Sequence, residues 1–488
     1  MSEASSPSIP AFGGLAASEL KRKLLHVAVG GFAFLLRFLT WPQAAALAVA
    51  AFLFNWLVLP RVGGHALWRG SERSRGYPLG ILLYPLSVLA LVLAFRENLW
   101  KAAVVWGVLA FGDGAATLLG QAFGGPRLPW NPRKGWVGFA SFVFFGGVGS
   151  AVLLGWTQRL APADVLSANA LGFALVLSLL GALVETVPTT LDDNLTVPLV
   201  LGVFLSLVAG LDFAPFLGQE GFEGRVLLGV AVNVAIAAGA FLVRSIDLAG
   251  AASAVFIGTV ITAGLGAPGL ALMIAFFVIG SVVTKVGYRV KAARGIAQEK
   301  GGARGWKNAW ANGGVPAFLA LLAGVWGAGG HGDSARAPAS SAVAFLFVVA
   351  YASSVATAAA DTCSSEIGKA YGRRTFLITS FRPVPPGTEG AVSLEGTLGG
   401  LTGAALVAGT GAMLGLFEWP IAVLVAVAGL LGSLAESVIG TVAERRGWLD
   451  NDLLNALNTA IGAALGAGSI SILGQAWPFL QSSFGVHG

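Results

Sequence analysis

Long apolar runs separated by short polar segments cover most of the chain. A helix needs about 20 apolar residues to cross the hydrocarbon core of a bilayer. Runs of this length predict an all-α fold: a polytopic integral membrane helical bundle of about fifteen transmembrane helices in two related halves. The predicted spans are 25–41, 43–60, 78–95, 100–122, 136–156, 169–187 and 195–212 in the first half, and 225–243, 249–265, 268–287, 313–329, 341–360, 393–415, 420–441 and 453–475 in the second.

The composition supports a membrane protein and argues against several other classes. Hydrophobic residues make up 56% of the chain and charged residues 11%, whereas a soluble domain carries roughly 25% charged residues. The single cysteine, Cys363, excludes an intramolecular disulfide and a cysteine-built metal centre. The sequence contains neither a G-x-x-x-x-G-K-[ST] loop nor an HRD and DFG pair, which argues against a P-loop or protein-kinase-like fold.

The distribution of Lys and Arg predicts the orientation of the chain in the membrane. Residues 1–18 are rich in Ser, Pro and Ala, and we expect a disordered tail there. Lys21, Arg22 and Lys23 directly precede the first span, which indicates a cytoplasmic start. Membrane topology and contact with anionic lipid account for the net charge of +6. We therefore expect no nucleic-acid partner. We expect an integral protein of a bacterial inner (plasma) membrane, with basic cytoplasmic loops at 61–76, 123–135, 288–312 and 369–382.

An aspartate-led motif occurs once in each half of the chain. Asp113 lies in GDGAATLLGQAFG and Asp361 in ADTCSSEIGKAYG, each at the end of an apolar run. Acids at membrane depth are costly, so the repeated motif predicts two related active sites facing the cytoplasm, in domains at 19–215 and 225–488. A glutamate and then an Asp/Asn cluster follow each motif: Glu185, Asp192, Asp193 and Asn194 in the first half, and Glu436, Asp450, Asn451 and Asp452 in the second.

The first-half motif has the residue types of a Mg²⁺–polyphosphate site. Glycines surround Asp113, and tight glycine turns can direct successive N–H groups at an anion. Arg133 and Lys134 follow on a proline-containing loop, where cations would offset the charge of a transferred phosphoryl group. Asp192 and Asp193 would repel each other without a nearby cation. A bound metal is therefore the economical explanation, with Asp113 and this pair as its ligands.

Three residues at the start of the first span are candidate substrate contacts. Arg22 and Lys23 are candidate phosphate ligands, and His26 is a candidate base or phosphate contact. A purely structural explanation also exists for the first-half set. Asp113 would then be a helix cap, the cations ordinary positive-inside residues, and the Asp/Asn cluster a polar cap.

Polar residues are also concentrated beside the spans of the second half. Asn308 and Asn312 are four residues apart, so a helix would present both on one face. Polar groups beside the membrane need partners. They form either a second active site or a bundle held together by Ser and Asn hydrogen bonds. The candidates are Arg304, Asn308, Asn312, Asp361, Ser364, Ser365, Glu366, Lys369, Thr388, Ser393, Glu436, Asn451, Asp452 and Asn455, with Asp361 and Asp452 as candidate metal ligands.

The motifs of the first half resemble the dolichol kinase and phytol kinase family of membrane enzymes. The resemblance rests on RKLLH, GDGAATLLGQAFG, LPWNPRKGWVGFASF and ETVPTTLDDNLTVPL, in family order over residues 19–210. It implies phosphorylation of a long isoprenoid alcohol by a nucleoside triphosphate, typically CTP, with a divalent metal. One departure is Gly135, where the family more often has Ser. The resemblance implies a site lined by Asp113, Lys134, Glu185, Asp192, Asp193 and Asn194.

The motifs of the second half resemble the membrane family that includes plant phytyl-phosphate kinase. The resemblance covers residues 245–470 and rests on the ADT-SSE, VPPGT-G-VSL-GT and NDLLN steps. One departure is Glu436, where the family usually has Asp. The carboxylate is kept, but its reach changes.

Together the two resemblances imply a bifunctional enzyme whose halves act in series. The first would convert a prenyl alcohol of the phytol, farnesol or geranylgeraniol type to its monophosphate, and the second would make the diphosphate. Each would use a nucleoside triphosphate, with CTP the expected donor, and Mg²⁺. The expected catalytic residues are Asp113, Lys134, Glu185, Asp361, Glu366 and Glu436.

Two other functional classes remain open on the sequence. Two related halves with polar residues and Gly/Pro interruptions also describe a transporter built of inverted or parallel repeats. A transporter should carry its acids near mid-membrane, whereas the sequence predicts both sets at one face. A CTP-dependent lipid cytidylyltransferase would share acidic, metal-dependent cytoplasmic sites.

Overall fold

The structure, a computed structural model, is almost entirely α-helical, with two short antiparallel β-hairpins. The all-α prediction is therefore confirmed. The chain divides into two compact units, unit 1 over Met1–Ala209 and unit 2 over Gly210–Gly488. The predicted tail, 1–18, and most of the predicted basic loop 61–76 lie outside the described residues. The residues that the structure describes are 17–62, 79–189, 191–208, 211–297, 305–329, 337–443 and 450–476.

Unit 1 is built from α-helices and one β-hairpin. A 3₁₀ segment continues α1 over Gly31–Arg37, and a π-helical turn continues α2 over Phe54–Val58. A second π-helical turn, Val108–Asp113, joins α4 to α5. The elements are α1 (Ala17–Gly30), α2 (Trp41–Leu53), α3 (Leu79–Ala94), α4 (Leu99–Gly107), α5 (Gly114–Phe123), β1 (Arg127–Leu128), β2 (Asn131–Gly135), α6 (Trp136–Gln158), α7 (Pro162–Val165), α8 (Ala168–Thr186) and α9 (Asp193–Val208).

Unit 2 has a 35-residue helix at its centre. This helix, α15, packs against α12, α14, α16, α17 and α18, and its small residues between Val349 and Ala360 are buried. The elements are α10 (Ala214–Leu217), α11 (Phe222–Leu242), α12 (Leu248–Lys285), α13 (Tyr288–Ala293), α14 (Trp306–Gly327), α15 (Ala337–Tyr371), β3 (Phe376–Leu377), β4 (Ala391–Val392), α16 (Leu394–Met413), α17 (Trp419–Ala443) and α18 (Asn451–Ala476).

The chain is a polytopic membrane protein, although the predicted number of spans is not confirmed. Among the described residues, ten helices are long and apolar enough to cross a membrane, and α3 and α9 are shorter apolar helices. One of the ten, α12, is broken at Gly266, which has φ 63° and ψ −159°. Gly250 and Phe277 line one cavity, whereas a straight helix would separate them by about 40 Å. The two halves of α12 therefore lie side by side, as the separate predicted spans 249–265 and 268–287 require.

The two motif aspartates do not end their helices, which corrects the expectation from the sequence. Asp113 closes the π-helical turn, and the helix continues for ten residues to Phe123. Asp361 lies within α15, which continues to Tyr371. An acid within a membrane segment needs a partner rather than a helix end. Lys23 donates to both carboxylate oxygens of Asp113, so the helix can continue past this residue.

Candidate active sites

Two close helix contacts hold α1 against the π-helical turn and the start of α5 in unit 1. A Cβ on Gly30 would lie 2.3 Å from the Cβ of Ala110, and one on Gly114 would lie 2.2 Å from Cγ2 of Val27. Because these contacts leave no room for a side chain, glycine permits the close approach. The approach places the polar face of α1 directly beside Asp113.

Replacing Gly30 with Ala is expected to separate these helices. Neither the new Cβ nor the Cβ of Ala110 can rotate away, so the backbones must move, at a cost of about 1–3 kcal/mol. Gly31→Ala is the matched control, because a Cβ at Gly31 meets nothing within 4 Å. We expect a lower midpoint of thermal unfolding in detergent for Gly30→Ala alone. Equal midpoints for the two variants would contradict the close contact.

Lys23 and Asp113 form a buried ion pair at this contact. The Lys23 Nζ donates to both carboxylate oxygens, at 2.7 and 2.6 Å, and the two residues are 5% and 2% exposed. The His26 Nε2 lies 3.5 Å from the Asp113 Oδ2. Its ring is 4.5 Å from that of Tyr84, whose hydroxyl accepts a hydrogen bond from Trp106. Burial of an ion pair has a desolvation cost that packed apolar side chains do not have, which makes Lys23 and Asp113 candidates for a functional role.

The β-hairpin brings a second lysine to a second acid. The Asn131 Nδ2 donates to the Thr186 carbonyl at 3.0 Å, which fixes the hairpin against the end of α8. The Lys134 Nζ then donates to the Glu185 carboxylate. Burial opposes the charged form of Lys134, but the Glu185 carboxylate outweighs it and raises the lysine pKa. The Lys134 side chain is 40% exposed and that of Glu185 5%, so this pair connects the interior of the site with solvent.

The start of α9 supplies a third carboxylate and a buried amide. The Asn194 N–H donates to Oδ1 of Asp192 and to Oδ1 of Asp193, each at 3.1 Å. The Asn194 Nδ2 donates to the Asp192 Oδ1 at 2.8 Å. Asn194 is 6% exposed, and its Oδ1 has no donor among the described residues. A buried carbonyl oxygen without a donor is costly unless a ligand satisfies it.

Three of these carboxylates are close enough to share one cation. One oxygen each from Asp113, Glu185 and Asp193 lie within 4.8 Å of one another. Mg²⁺ is typically held by one or two carboxylates together with substrate phosphates and water, so the residues fit the predicted metal. Asp192, a predicted ligand, lies outside this group; its carboxylate instead orders the first turn of α9.

The other first-half candidates lie around this cluster or away from it. Arg133 is exposed, and its N–H donates to the Asn131 Oδ1 at 3.1 Å; Arg22 is half-buried on α1. Of the glycines around Asp113, Gly112 and Gly114 are helical, and the positive φ angles occur at Gly124 and Gly125, after the end of α5. A π-helical turn is a frequent feature of functional sites. The sequence does not reveal this one, because the packing of neighbouring helices sets its hydrogen-bond register.

Unit 2 contains a buried ion pair that includes a residue absent from the sequence predictions. The Nζ of Lys291, on α13, donates to the Glu366 carboxylate of α15. It also donates to the Thr284 carbonyl at 2.8 Å. Lys291 and Glu366 are 1% and 2% exposed. Lys291 lies in a basic segment, where topology alone accounts for cations, so its burial had no visible signal in the sequence.

A second buried acid of unit 2 is bound by an amide. The Asn458 Nδ2 donates to the Glu436 Oε2, and the Asn458 Oδ1 has no donor among the described residues. The loop before α16 covers this end of α17, because a Cβ on Gly390 would lie 2.3 Å from the Thr441 Oγ1. Asn455, one turn before Asn458, is also buried. The loop at Gly390 therefore lies against α17 at Ser437, the residue after Glu436.

The remaining second-half candidates have more varied surroundings. Ser393 caps α16 by accepting from the Gly396 N–H at 3.1 Å. Ser364, a predicted binding residue, and Cys363 lie where α15 packs closely on α16, against Gly400 and Gly403. Arg304 lies outside the described residues. The described carboxylates include no group of three around Asp361 or Asp452. Asn312 is buried, Asn308, Asp361, Ser365, Lys369, Thr388 and Asp452 are half-buried, and Asn451 is exposed.

Comparisons with known proteins place the chain among integral membrane proteins. The family model described as integral membrane protein DUF92 matches residues 231–463. An uncharacterized membrane protein of Synechocystis is 38% identical over 220 residues, which are 43% of this chain and 78% of the relative. An uncharacterized membrane protein of Methanocaldococcus jannaschii is 32% identical over 46% of this chain and 85% of the relative. No solved structure matches.

Two plant proteins are similar over a smaller share of their own length. The chloroplastic protein VTE6 of Arabidopsis thaliana is 38% identical over 225 residues, 46% of this chain and 64% of that protein. Chloroplastic phytol kinase 1 of Arabidopsis thaliana is 32% identical over 206 residues, 38% of this chain and 66% of that protein. The chain thus matches less than two thirds of each of these two relatives.

Proposed function

The chain belongs to the DUF92 family of integral membrane proteins, and we propose that it is an isoprenoid kinase with one active site in each unit. Unit 1 phosphorylates a prenyl alcohol, and unit 2 phosphorylates the resulting prenyl monophosphate to the diphosphate. The observation that carries the proposal is the unit 1 cluster of three carboxylates and two lysines. The similarity to a protein named phytol kinase supports a long-chain alcohol as the substrate.

The charges of the unit 1 cluster suit a metal-bound polyphosphate. Asp113, Glu185 and Asp193 carry three negative charges when ionised, and Lys23 and Lys134 carry two positive ones. One negative charge therefore remains. A divalent cation held by the three carboxylates would shield the phosphate oxygens during transfer. Lys134, at the exposed side, can turn from Glu185 to a phosphate oxygen, which frees the carboxylate for the cation.

The transfer itself needs little covalent chemistry from the protein. The alcohol oxygen forms a bond to the terminal phosphorus of the nucleoside triphosphate, and the bond to the nucleoside diphosphate breaks. The hydroxyl proton is released, with His26 beside Asp113 as the candidate acceptor. The protein acts by aligning the reactants and by stabilising charge. CTP is the proposed donor because of the resemblance of the first-half motifs to the dolichol and phytol kinase family.

Unit 2 is proposed to use the same elements in a different arrangement. The Lys291–Glu366 pair provides a buried cation and acid, and Glu436 is next to the contact between α17 and the loop before α16. The second-half motifs resemble the family that includes plant phytyl-phosphate kinase, which supports the monophosphate as substrate. Both sites are proposed to face the cytoplasm of a bacterial plasma membrane, where nucleotides are available. A tether between the two units would raise the local concentration of the intermediate.

The direct test supplies purified protein in nanodiscs with radiolabelled phytol, farnesol or geranylgeraniol, Mg²⁺, and CTP or ATP. We expect a monophosphate that appears first and a diphosphate that follows. If no alcohol yields either product with either nucleotide, the proposal is wrong. Diphosphate formed from added monophosphate alone would restrict the activity to unit 2.

The Mg²⁺ dependence of monophosphate formation is expected to differ between variants of the adjacent residues Asp192 and Asp193. Asp193→Asn is expected to raise the Mg²⁺ concentration for half-maximal monophosphate formation by about 10- to 100-fold, because Asp193 belongs to the three-carboxylate group. Asp192→Asn is the matched control. It should lower thermal stability through the first turn of α9 without moving the Mg²⁺ dependence. The same Mg²⁺ shift in both variants would contradict the assignment.

One observation favours a transporter. Asp113 lies inside a helix that spans the membrane, ten residues before its end. However, the end of α8 at Glu185 and the start of α9 at Asp193 lie beside it, which puts Asp113 near the polar edge of unit 1. Proteoliposomes separate the two functions. A transporter would move a solute without consuming nucleoside triphosphate to form a prenyl phosphate.

A further inference from the structure

Unit 2 contains an apolar cavity that the residues of the second site do not occupy. It has a volume of about 110 Å³ and lies between α11, both halves of α12 and α14. Small side chains such as Ala254 and Ala309 leave the space, and Met273 and Phe277 form its apolar wall. Water would find few hydrogen-bond partners in such a cavity, so the ligand that suits it is an apolar group.

The cavity runs inward from the polar edge of unit 2. Gly305 and Asn308, at the start of α14, line one end, and Gly313 lines the other. Eight residues of helix correspond to a depth of about 12 Å. Asn308 and Asn312 are the polar groups on the α14 wall of the cavity. A ligand with a polar head and an apolar tail would therefore enter with its head at the Asn308 end.

The open end of the cavity lies near the polar residues of the second site. Lys307, next to Asn308, interacts electrostatically with Asp452 at the start of α18. The helix α14 also packs against α15, which carries Asp361 and Glu366, and against α18, which carries Asn455. A lipid whose tail fills the cavity thus has its head beside the residues proposed to handle phosphate.

The size of the cavity sets how much of the tail it can hold. An apolar cavity of about 150 Å³ takes up one benzene molecule. A space of about 110 Å³ therefore has room for about one five-carbon isoprene unit. The rest of a prenyl chain must leave between the helices towards the bilayer. A prenyl chain bound in this way would be selected by its first isoprene unit and not by its total length.

We infer that this cavity binds the first isoprene unit of the prenyl monophosphate that unit 2 phosphorylates, an inference that rests on the proposed function. The cavity then acts as a specificity site: its small wall residues admit a branched isoprene unit, and it positions the phosphate at the edge of the unit. Prenyl monophosphates of different length should have similar KM values in the second step.

A filled cavity tests the inference. Ala254→Phe places a large side chain in the cavity, whereas Ala252→Phe, two residues away on the same helix, adds the same group at an exposed position. We expect Ala254→Phe to raise the KM for farnesyl and geranylgeranyl monophosphate by roughly tenfold or more. Ala252→Phe should leave the KM unchanged, and neither variant should alter monophosphate formation by unit 1. Ala309→Phe fills the cavity from the opposite wall and should reproduce the effect even if Ala254→Phe folds poorly. An unchanged KM in folded Ala254→Phe or Ala309→Phe would overturn the inference.

Photo-crosslinking tests ligand binding in the cavity independently of the proposed reaction. The probe is a farnesyl monophosphate with a diazirine on its first isoprene unit, applied to wild-type protein in nanodiscs. Labelling at 250–258, 270–277 or 305–313 that excess geranylgeranyl monophosphate suppresses supports the inference. Labelling elsewhere, or labelling that competes only with phospholipid, overturns it and assigns the cavity to a bilayer acyl chain. If labelling is correct but no diphosphate forms, binding stands and the proposed reaction fails.

Discussion

Asp113→Asn is expected to reduce monophosphate formation by at least about a hundredfold, the effect of losing one charged group that stabilises a transition state. Asp113 is the least exposed member of the three-carboxylate group and accepts both hydrogen bonds from Lys23. Asn keeps the shape but removes the charge, so the group loses affinity for a cation. Product separation with radiolabelled alcohol measures the effect. Diphosphate formation from added monophosphate should persist.

The Asp113 experiment needs a control for stability, because the variant leaves Lys23 buried beside a neutral partner. Loss of one partner of a buried ion pair costs about 3–5 kcal/mol. The double variant Lys23→Met with Asp113→Asn removes both charges and should recover most of the stability without activity. Asp164→Asn, the same change at an exposed position of unit 1, should have no effect. Wild-type monophosphate formation by Asp113→Asn would remove the cluster from the mechanism.

The helices were predictable because their signal is local. An apolar run long enough to cross a bilayer is almost always a helix there, since its backbone polar groups must be satisfied within the segment. The backbone irregularities were not predictable. The π-helical turn that ends at Asp113 and the reversal at Gly266 depend on which helices pack against them. The sequence of an apolar run does not show which helices those are.

The acids of the first site were predictable for a related reason. A carboxylate within an apolar run is costly, so Asp113 and Glu185 stand out in the sequence. The lysines were harder to rank. Lys23 was one of several cations at the membrane edge, and Lys291 was hidden among basic residues that topology already explains. Burial distinguishes these two from the rest, and burial is a property of the folded chain. The similar motifs at Asp113 and Asp361 also have different surroundings, because Asp361 belongs to no described three-carboxylate group.

Lys291→Met is expected to reduce diphosphate formation by about a hundredfold, so that the monophosphate accumulates. Lys291 is a buried cation of unit 2 and contacts Glu366 of the second aspartate motif. In the proposed reaction its ammonium group neutralises Glu366 at rest and a phosphate oxygen during transfer. Met keeps the apolar stem of the side chain but removes the charge. The measurement is the ratio of monophosphate to diphosphate from radiolabelled alcohol over time.

Two further variants decide whether the Lys291 effect is chemical or structural. Lys291→Met leaves Glu366 buried without its cation, whereas the double variant with Glu366→Gln removes both charges and should restore the thermal unfolding midpoint. If the double variant is as stable as wild type and still accumulates monophosphate, the pair acts in the second transfer. If it makes diphosphate at the wild-type rate, the pair is structural only. Lys285→Met, which removes an exposed lysine at the end of α12, should change neither the product ratio nor the unfolding midpoint. A block of the first step by Lys291→Met would contradict the assignment of one reaction to each unit.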